Sequence, residues 1–183
     1  MDVFEAIQQR RSIRSYQDKP VEREKVEKIL EAARLAPSAN NHEPWHFITI
    51  TDAEKRKALS KGMWAKFLPQ TPLVIVACGD KKASPEWYAI DVALAVENMV
   101  LTAVNEGLGT CCVGSFDEKD VKALLKVPEN FEVLVMLAIG YPREKVDLSS
   151  KLLNLVRTKK TLSEIASQEE YGKRLIPEKI SEL

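Results

Sequence analysis

Residues 87–107 read WYAIDVALAVENMVLTAVNEG, and this stretch decides the fold. It predicts a helix over 87–106 that Gly107 stops, with Ala, Leu, Val and Met on most of its faces. A helix that is apolar nearly all round is buried inside a domain or a subunit interface. Asp91, Glu97 and Asn98 interrupt the run. It therefore reads as a core or interface helix, and no bilayer-spanning segment is expected.

On either side lie short apolar runs, Leu-Val-Ile-Val-Ala-Cys at 73–78 and Val-Leu-Val-Met-Leu-Ala-Ile at 133–139. Neither alternates, so both read as strands covered on two faces. Residues 45–51 (WHFITIT) and 110–115 add two more strands. Residues 2–11 and 22–36 read as helices, the second carrying Val26, Ile29, Leu30 and Ala33 at helical spacing before Pro37. Asp52 is placed to cap a charged helix that stops near Gly62, and Asp117 caps another that runs to Lys126. The alternation suggests a doubly wound parallel sheet. The two leading helices and the polar tail fit an α+β fold with a mixed sheet better. Residues 1–142 form the expected domain, and 143–183 an arm of the same domain.

Composition narrows function. The 183 residues are 45% apolar and 30% charged, and 27 basic side chains balance 27 acidic ones. A neutral chain is not expected to bind nucleic acid or a membrane surface. The N-terminal MDVFEAIQQRR lacks the apolar core of a secretory signal. Three scattered cysteines, Cys78, Cys111 and Cys112, give no disulfide framework. A reducing, cytoplasmic setting follows.

Several strings could carry chemistry. His42-Glu43-Pro44-Trp45-His46 spells HExxH, which binds zinc only where both His share a helix face. Pro44 and the β-formers that follow argue for a turn entering a strand. Gly107-Leu-Gly109 begins like a dinucleotide fingerprint but follows a helix and lacks the third Gly, so that reading fails. Cys111 and Cys112 read as a buried packing pair with no activating cation nearby in sequence. Arg10-Arg11-Ser12-Ile13-Arg14 sets three guanidiniums and a hydroxyl at a helix end. Such a set suits a dianionic phosphate, but a charge run taken alone reads more often as a solvated helix C-terminus. Arg157-Thr158-Lys159-Lys160 is a second basic cluster. Residues 37–45 (PSANNHEPW) form a polar loop with hydrogen-bonding side chains.

Taken in order, these pieces resemble the FMN-dependent nitroreductase family. The resemblance runs from Arg10–Arg14 through the helix ending ILEAARLAPS, then Pro37–Phe47, then Glu97–Gly114. It continues with Gly140-Tyr141-Pro142, Leu162–Ile165 and Tyr171-Gly172. It implies a mixed central sheet flanked by helices in an intertwined homodimer, with one FMN in each of two interface grooves. The helix at 87–106 would then line the dimer interface, and the tail would wrap the partner. Arg10, Arg11, Ser12 and Arg14 would hold the phosphate and ribityl chain, joined by Arg157 and Lys159. Pro37, Ser38, Ala39 and Asn41 would line the ring from the other subunit. Val113 and Gly114 would present backbone to it, and Lys66 would sit near the pyrimidine side. The resemblance further implies that NAD(P)H donates hydride to flavin N5, and that a nitroaromatic, quinone or similar flat acceptor takes it in a ping-pong cycle. Reductive dehalogenation on the same scaffold, and an FMN carrier or sensor without turnover, are the alternatives. Glu43 stands where the family has Gln, Cys112 where a bulkier residue or Pro is common, and Lys159 where Arg is usual.

Overall fold

The computed structural model describes residues 1–143 and 159–174. The chain divides into two units, Met1–Glu144 and Lys145–Leu183. The first runs α1 (Val3–Gln9), α2 (Arg23–Arg34), β1 (Trp45–Ile50), α3 (Ala53–Ala58), β2 (Leu73–Asp80), α4 (Tyr88–Asn105), β3 (Gly109–Val113), α5 (Glu118–Leu125) and β4 (Phe131–Gly140). The described part of the second unit holds one short helix, α6 (Leu162–Ile165), opened by a Thr161–Glu164 capping box.

The four strands lie in the order β1-β2-β4-β3, and every neighbouring pair is antiparallel. Among the described residues the one parallel pairing is a bridge from Ser12 to Thr110 at the β3 edge. The doubly wound alternative set aside above would need parallel neighbours among the four strands.

β2 shows why its sequence does not alternate. Val74, Val76 and Cys78 face one apolar cluster, with Tyr16, Leu68, Met136 and Ala138. Leu73, Ile75 and Ala77 face a second, with Ile29, Ala33, Met99 and Leu137. Helices α2 and α4 cover this second face, so both sides of the strand need apolar residues. Fully burying each such side chain contributes about 1.5–3 kcal/mol.

Helix α4 is long and apolar enough, by length and composition alone, to cross a membrane. Its composition has another cause here: Val92, Ala95, Val96, Met99, Val100 and Ala103 are all buried against this core. Ile90 and Leu94 on the same helix stay exposed, as do Val3, Phe4 and Ile7 on α1.

Helix ends follow local chemistry. Asp2 and Glu5 form a capping box on α1. Asp52 accepts the Lys55 amide at 2.8 Å, and Asp117 the Asp120 amide at 3.1 Å. Gly107, at φ +75°, turns the chain out of α4 as expected.

Candidate functional site

Helix α1 ends at Gln9, and the chain then runs extended into the bridge with β3. The Ile13 amide donates to the Thr110 carbonyl at 2.8 Å. Ile13 packs onto the first cluster, so alternation turns Arg10, Ser12 and Arg14 away from the side Ile13 takes. Tyr16, fully buried, holds this segment down: its hydroxyl donates to the Ile13 carbonyl at 2.6 Å and lies 3.4 Å from that of Ala138. Burial pushes the phenol well above its usual pKa, keeping it a donor.

β3 is an edge strand. Because the Thr110 carbonyl faces the Arg10–Arg14 segment, strand alternation turns the backbone polar groups of Cys112 and Gly114 off the same edge. Beside this edge lies a groove of about 400 Å³, lined by Arg14, Trp64 and residues 111–115. Gly114 has open space around it: a Cβ built there meets no atom within 4 Å. Arg14 and both cysteines line this groove together.

The structure thus joins the N-terminal basic run to the glycine strand, residues separated by about a hundred positions. Arg11 does something different. Its guanidinium donates to the Gln8 carbonyl at 2.6 Å and the Arg10 carbonyl at 2.8 Å, closing the end of α1.

The cysteine pair needs correcting. Cys111 is buried, but Cys112 is exposed and lines the groove. Neighbours on a strand point to opposite faces, so an adjacent pair on an edge strand cannot both enter the core. The sequence also hides a cation, Arg14, that shares the groove with both thiols. Desolvation still dominates, and with Cys111 and Glu97 it raises the Cys112 pKa against the opposing pull of Arg10.

Residues 37–43 lie elsewhere. Asn40, Asn41 and Glu43 all have positive φ, of 50°, 57° and 47°. Asn tolerates that conformation, whereas Glu holds it at a cost of order 1–3 kcal/mol. The loop is pinned from α4: buried Asp91 accepts the Ala39 amide at 3.1 Å and the Ser84 hydroxyl at 3.3 Å. Ser38 accepts the Glu43 amide at 2.9 Å. The loop leads into β1, at the opposite edge of the sheet from β3. Three strand spacings separate those edges, about 14 Å. Pro37, Ser38, Ala39 and Asn41 are not among the residues lining the β3 groove.

His42 closes the 3-10 turn of this loop and His46 lies on β1, so the HExxH string does not share a helix. Lys66 is exposed, two residues from Trp64, and does not line the groove. Lys159 is exposed in the second unit. Arg157 lies outside the described residues.

Three contributors escaped the sequence reading. Trp64 carried no motif. Ser115 supports the 62–64 turn, with the Trp64 amide 3.4 Å from its hydroxyl. Asp91 registered only as an interruption of an apolar helix.

Comparison with known proteins bears on this arrangement. Residues 2–182 match a family described as "Putative TM nitroreductase". A "Putative NADH dehydrogenase/NAD(P)H nitroreductase" of Archaeoglobus fulgidus is 38% identical over 154 residues, covering 80% of this chain and 88% of the relative. An "FMN reductase [NAD(P)H]" of Bacillus subtilis is 28% identical, covering 79% of this chain and 67% of that protein. The crystal structure of a nitroreductase family protein of Clostridium difficile 630 superposes with a TM-score of 0.79 at 33% identity, covering 93% of this chain and 99% of the other.

Proposed function

The chain belongs to the nitroreductase family, and from that premise we propose that its β3 groove holds FMN and passes reducing equivalents from NAD(P)H to flat organic acceptors. It is an oxidoreductase that uses FMN and NAD(P)H. The observation that carries the site assignment is the meeting of Arg14 and the open Gly114 edge in one groove.

The donor set fits that cofactor. Guanidiniums form bidentate, charge-assisted bonds to phosphate, and Arg10, Ser12 and Arg14 supply the phosphate and ribityl end. Gly114 lets backbone approach a flat ring without a Cβ in the way. Its outward amide is a donor for the ring edge where hydride is exchanged. Bound FMN supplies the hydride chemistry itself. Val113, buried beneath the edge, fixes where that amide points. Arg11, spent on the end of α1, and Lys66, outside the groove lining, are given no part in holding the cofactor.

Pro37, Ser38, Ala39 and Asn41 lie at the other sheet edge, so we assign them to the groove of a second copy. A homodimer follows. The exposed Val3, Phe4, Ile7, Ile90 and Leu94 supply apolar surface for it; most of the expected arm over 143–183 lies outside the described residues. Reductant and acceptor enter the same groove in turn, in a ping-pong cycle. The three free cysteines suit a reducing cytoplasm.

The visible spectrum of the purified protein tests this reading. One flavin per chain, with NAD(P)H oxidised steadily when a nitroaromatic or quinone is added, supports it. A protein that takes up no FMN ends it, and FMN bound without turnover makes the chain a carrier.

A further inference from the structure

The turn between α3 and β2 carries an indole into solvent on a rigid mount. Trp64 is 69% exposed and lines the β3 groove with Arg14 and residues 111–115. Its neighbours are fixed. Ala65 and Leu68 are fully buried, and Phe67 packs on Tyr16 with ring centroids 6.3 Å apart. The Ala65 amide donates to the Gly62 carbonyl at 3.0 Å. Gly62 sits so close to Ser115 that a Cβ there would fall 1.6 Å from the Ser115 carbonyl oxygen. The exposed ring is therefore presented by a turn locked to the strand end that follows Gly114.

A large apolar ring held in water beside a groove costs hydration free energy that a stacked partner removes. Indole is electron-rich, and rings that carry nitro or carbonyl groups are electron-poor. Their quadrupoles favour parallel, offset stacking. We propose that Trp64 is the residue on which the acceptor stacks, so that it sets the enzyme's preference for flat, electron-poor rings. The proposal rests on the FMN reading above, because the acceptor must reach the groove where hydride is exchanged.

The test uses the FMN-loaded protein and two variants. Trp64→Leu keeps apolar bulk and removes the ring, and Trp64→Phe keeps a ring. With 4-nitrobenzamide as acceptor, Trp64→Leu should raise KM about three- to tenfold, the range of one aromatic pair. The KM for ferricyanide, which has no ring to stack, should stay within about twofold by the same reasoning. Trp64→Phe should recover most of the loss.

A second readout needs no turnover. Without reductant, 4-nitrobenzamide should perturb the flavin bands of the oxidised protein, and its Kd should rise by the same factor in Trp64→Leu. Unchanged KM and Kd in a variant that still binds FMN would overturn the proposal and leave the FMN reading intact. A change confined to the KM for NAD(P)H would overturn it too. So would a fall to monomers on gel filtration, since the indole would then belong to the subunit interface. Loss of FMN from the unmodified protein is a different failure, that of the function itself.

Discussion

Gly114 lines the groove and Gly62 lies in the turn that carries Trp64, and exchanging each for alanine separates packing from function. At Gly62 a new Cβ would lie 1.6 Å from the Ser115 carbonyl oxygen and 2.5 Å from its carbon. Those are backbone atoms next to a strand end, so they cannot swing aside. The backbone at Gly62 (φ −64°, ψ 149°) suits any residue, so the penalty is steric. Overpacking costs about 1–3 kcal/mol, and a backbone clash belongs at the top of that range. The reduced entropy of the unfolded chain returns about 0.4–1 kcal/mol. A net loss of about 2 kcal/mol lowers Tm by about 4–8 °C for a chain of this size. At Gly114 a Cβ meets nothing within 4 Å. Gly114→Ala should therefore leave Tm unchanged or raise it slightly. Yet that methyl would stand where the flavin ring is proposed to lie, and FMN affinity should fall at least about tenfold, about 1.4 kcal/mol. The assay is paired: thermal unfolding of the apoprotein, and FMN titration followed by flavin fluorescence. A Gly114→Ala protein that keeps both its Tm and its FMN affinity would show that the ring does not approach this edge. A Gly62→Ala protein as stable as its parent would show that the 62–66 turn is not locked to Ser115.

Other perturbations test separate parts of the site. Arg10→Ala and Arg14→Ala should each weaken FMN binding by about 1.5–3 kcal/mol, the scale of a charged hydrogen bond, measured by calorimetric titration. If the double variant binds FMN as before, the basic run is only a solvated helix end. Asp91→Ala removes the anchor of the strained loop on α4 and leaves the Ala39 amide without its acceptor. It should cost about 1–3 kcal/mol in thermal unfolding, and Asp91→Asn, which can still accept that amide, should recover part of it. Cys112 is reachable, but desolvation raises its pKa. Its alkylation by iodoacetamide should be slow at neutral pH, climb with a midpoint above that of a free cysteine, and be blocked by bound FMN. A neutral-pH rate matching free cysteine would contradict the desolvated setting.

Much of the fold was legible because it rests on local rules. The acidic caps Asp52 and Asp117 and the stop at Gly107 depend on chemistry within one helical turn. The two unalternating strands announced a sheet covered on both faces. Strand order was not legible, since β2 pairs with β4 across α4, β3 and α5, and apolar runs carry no direction. The site divided in the same way. Arg10, Ser12, Arg14 and Gly114 could be named from sequence, but their meeting depends on the bridge between Ser12 and Thr110. Period-two alternation alone would have put Cys111 and Cys112 on opposite faces, had β3 been read residue by residue. Trp64 gave no signal, because an exposed tryptophan and a core tryptophan look alike until the chain is folded.

The sheet order has one more consequence. The Arg14–Gly114 groove and the residue 37–41 loop lie on opposite edges of the sheet, so on the proposed reading two chains supply each flavin site and a dimer holds two such sites. Damage on the two sides is then separable by mixing. Let one chain carry Arg10→Ala with Arg14→Ala, and another carry Ala39→Glu, which brings a carboxylate toward the ring. Each homodimer has two crippled sites. A heterodimer of the two concentrates all the damage in one site and leaves the other with intact arginines from one chain and an intact loop from its partner. Tagged, co-expressed heterodimers should therefore regain about half the normal FMN content, while neither parent binds appreciably. If both groups of residues served one site within a single chain, mixing would restore nothing. The recovered flavin thus measures whether the two edges of this sheet work together only across a subunit boundary.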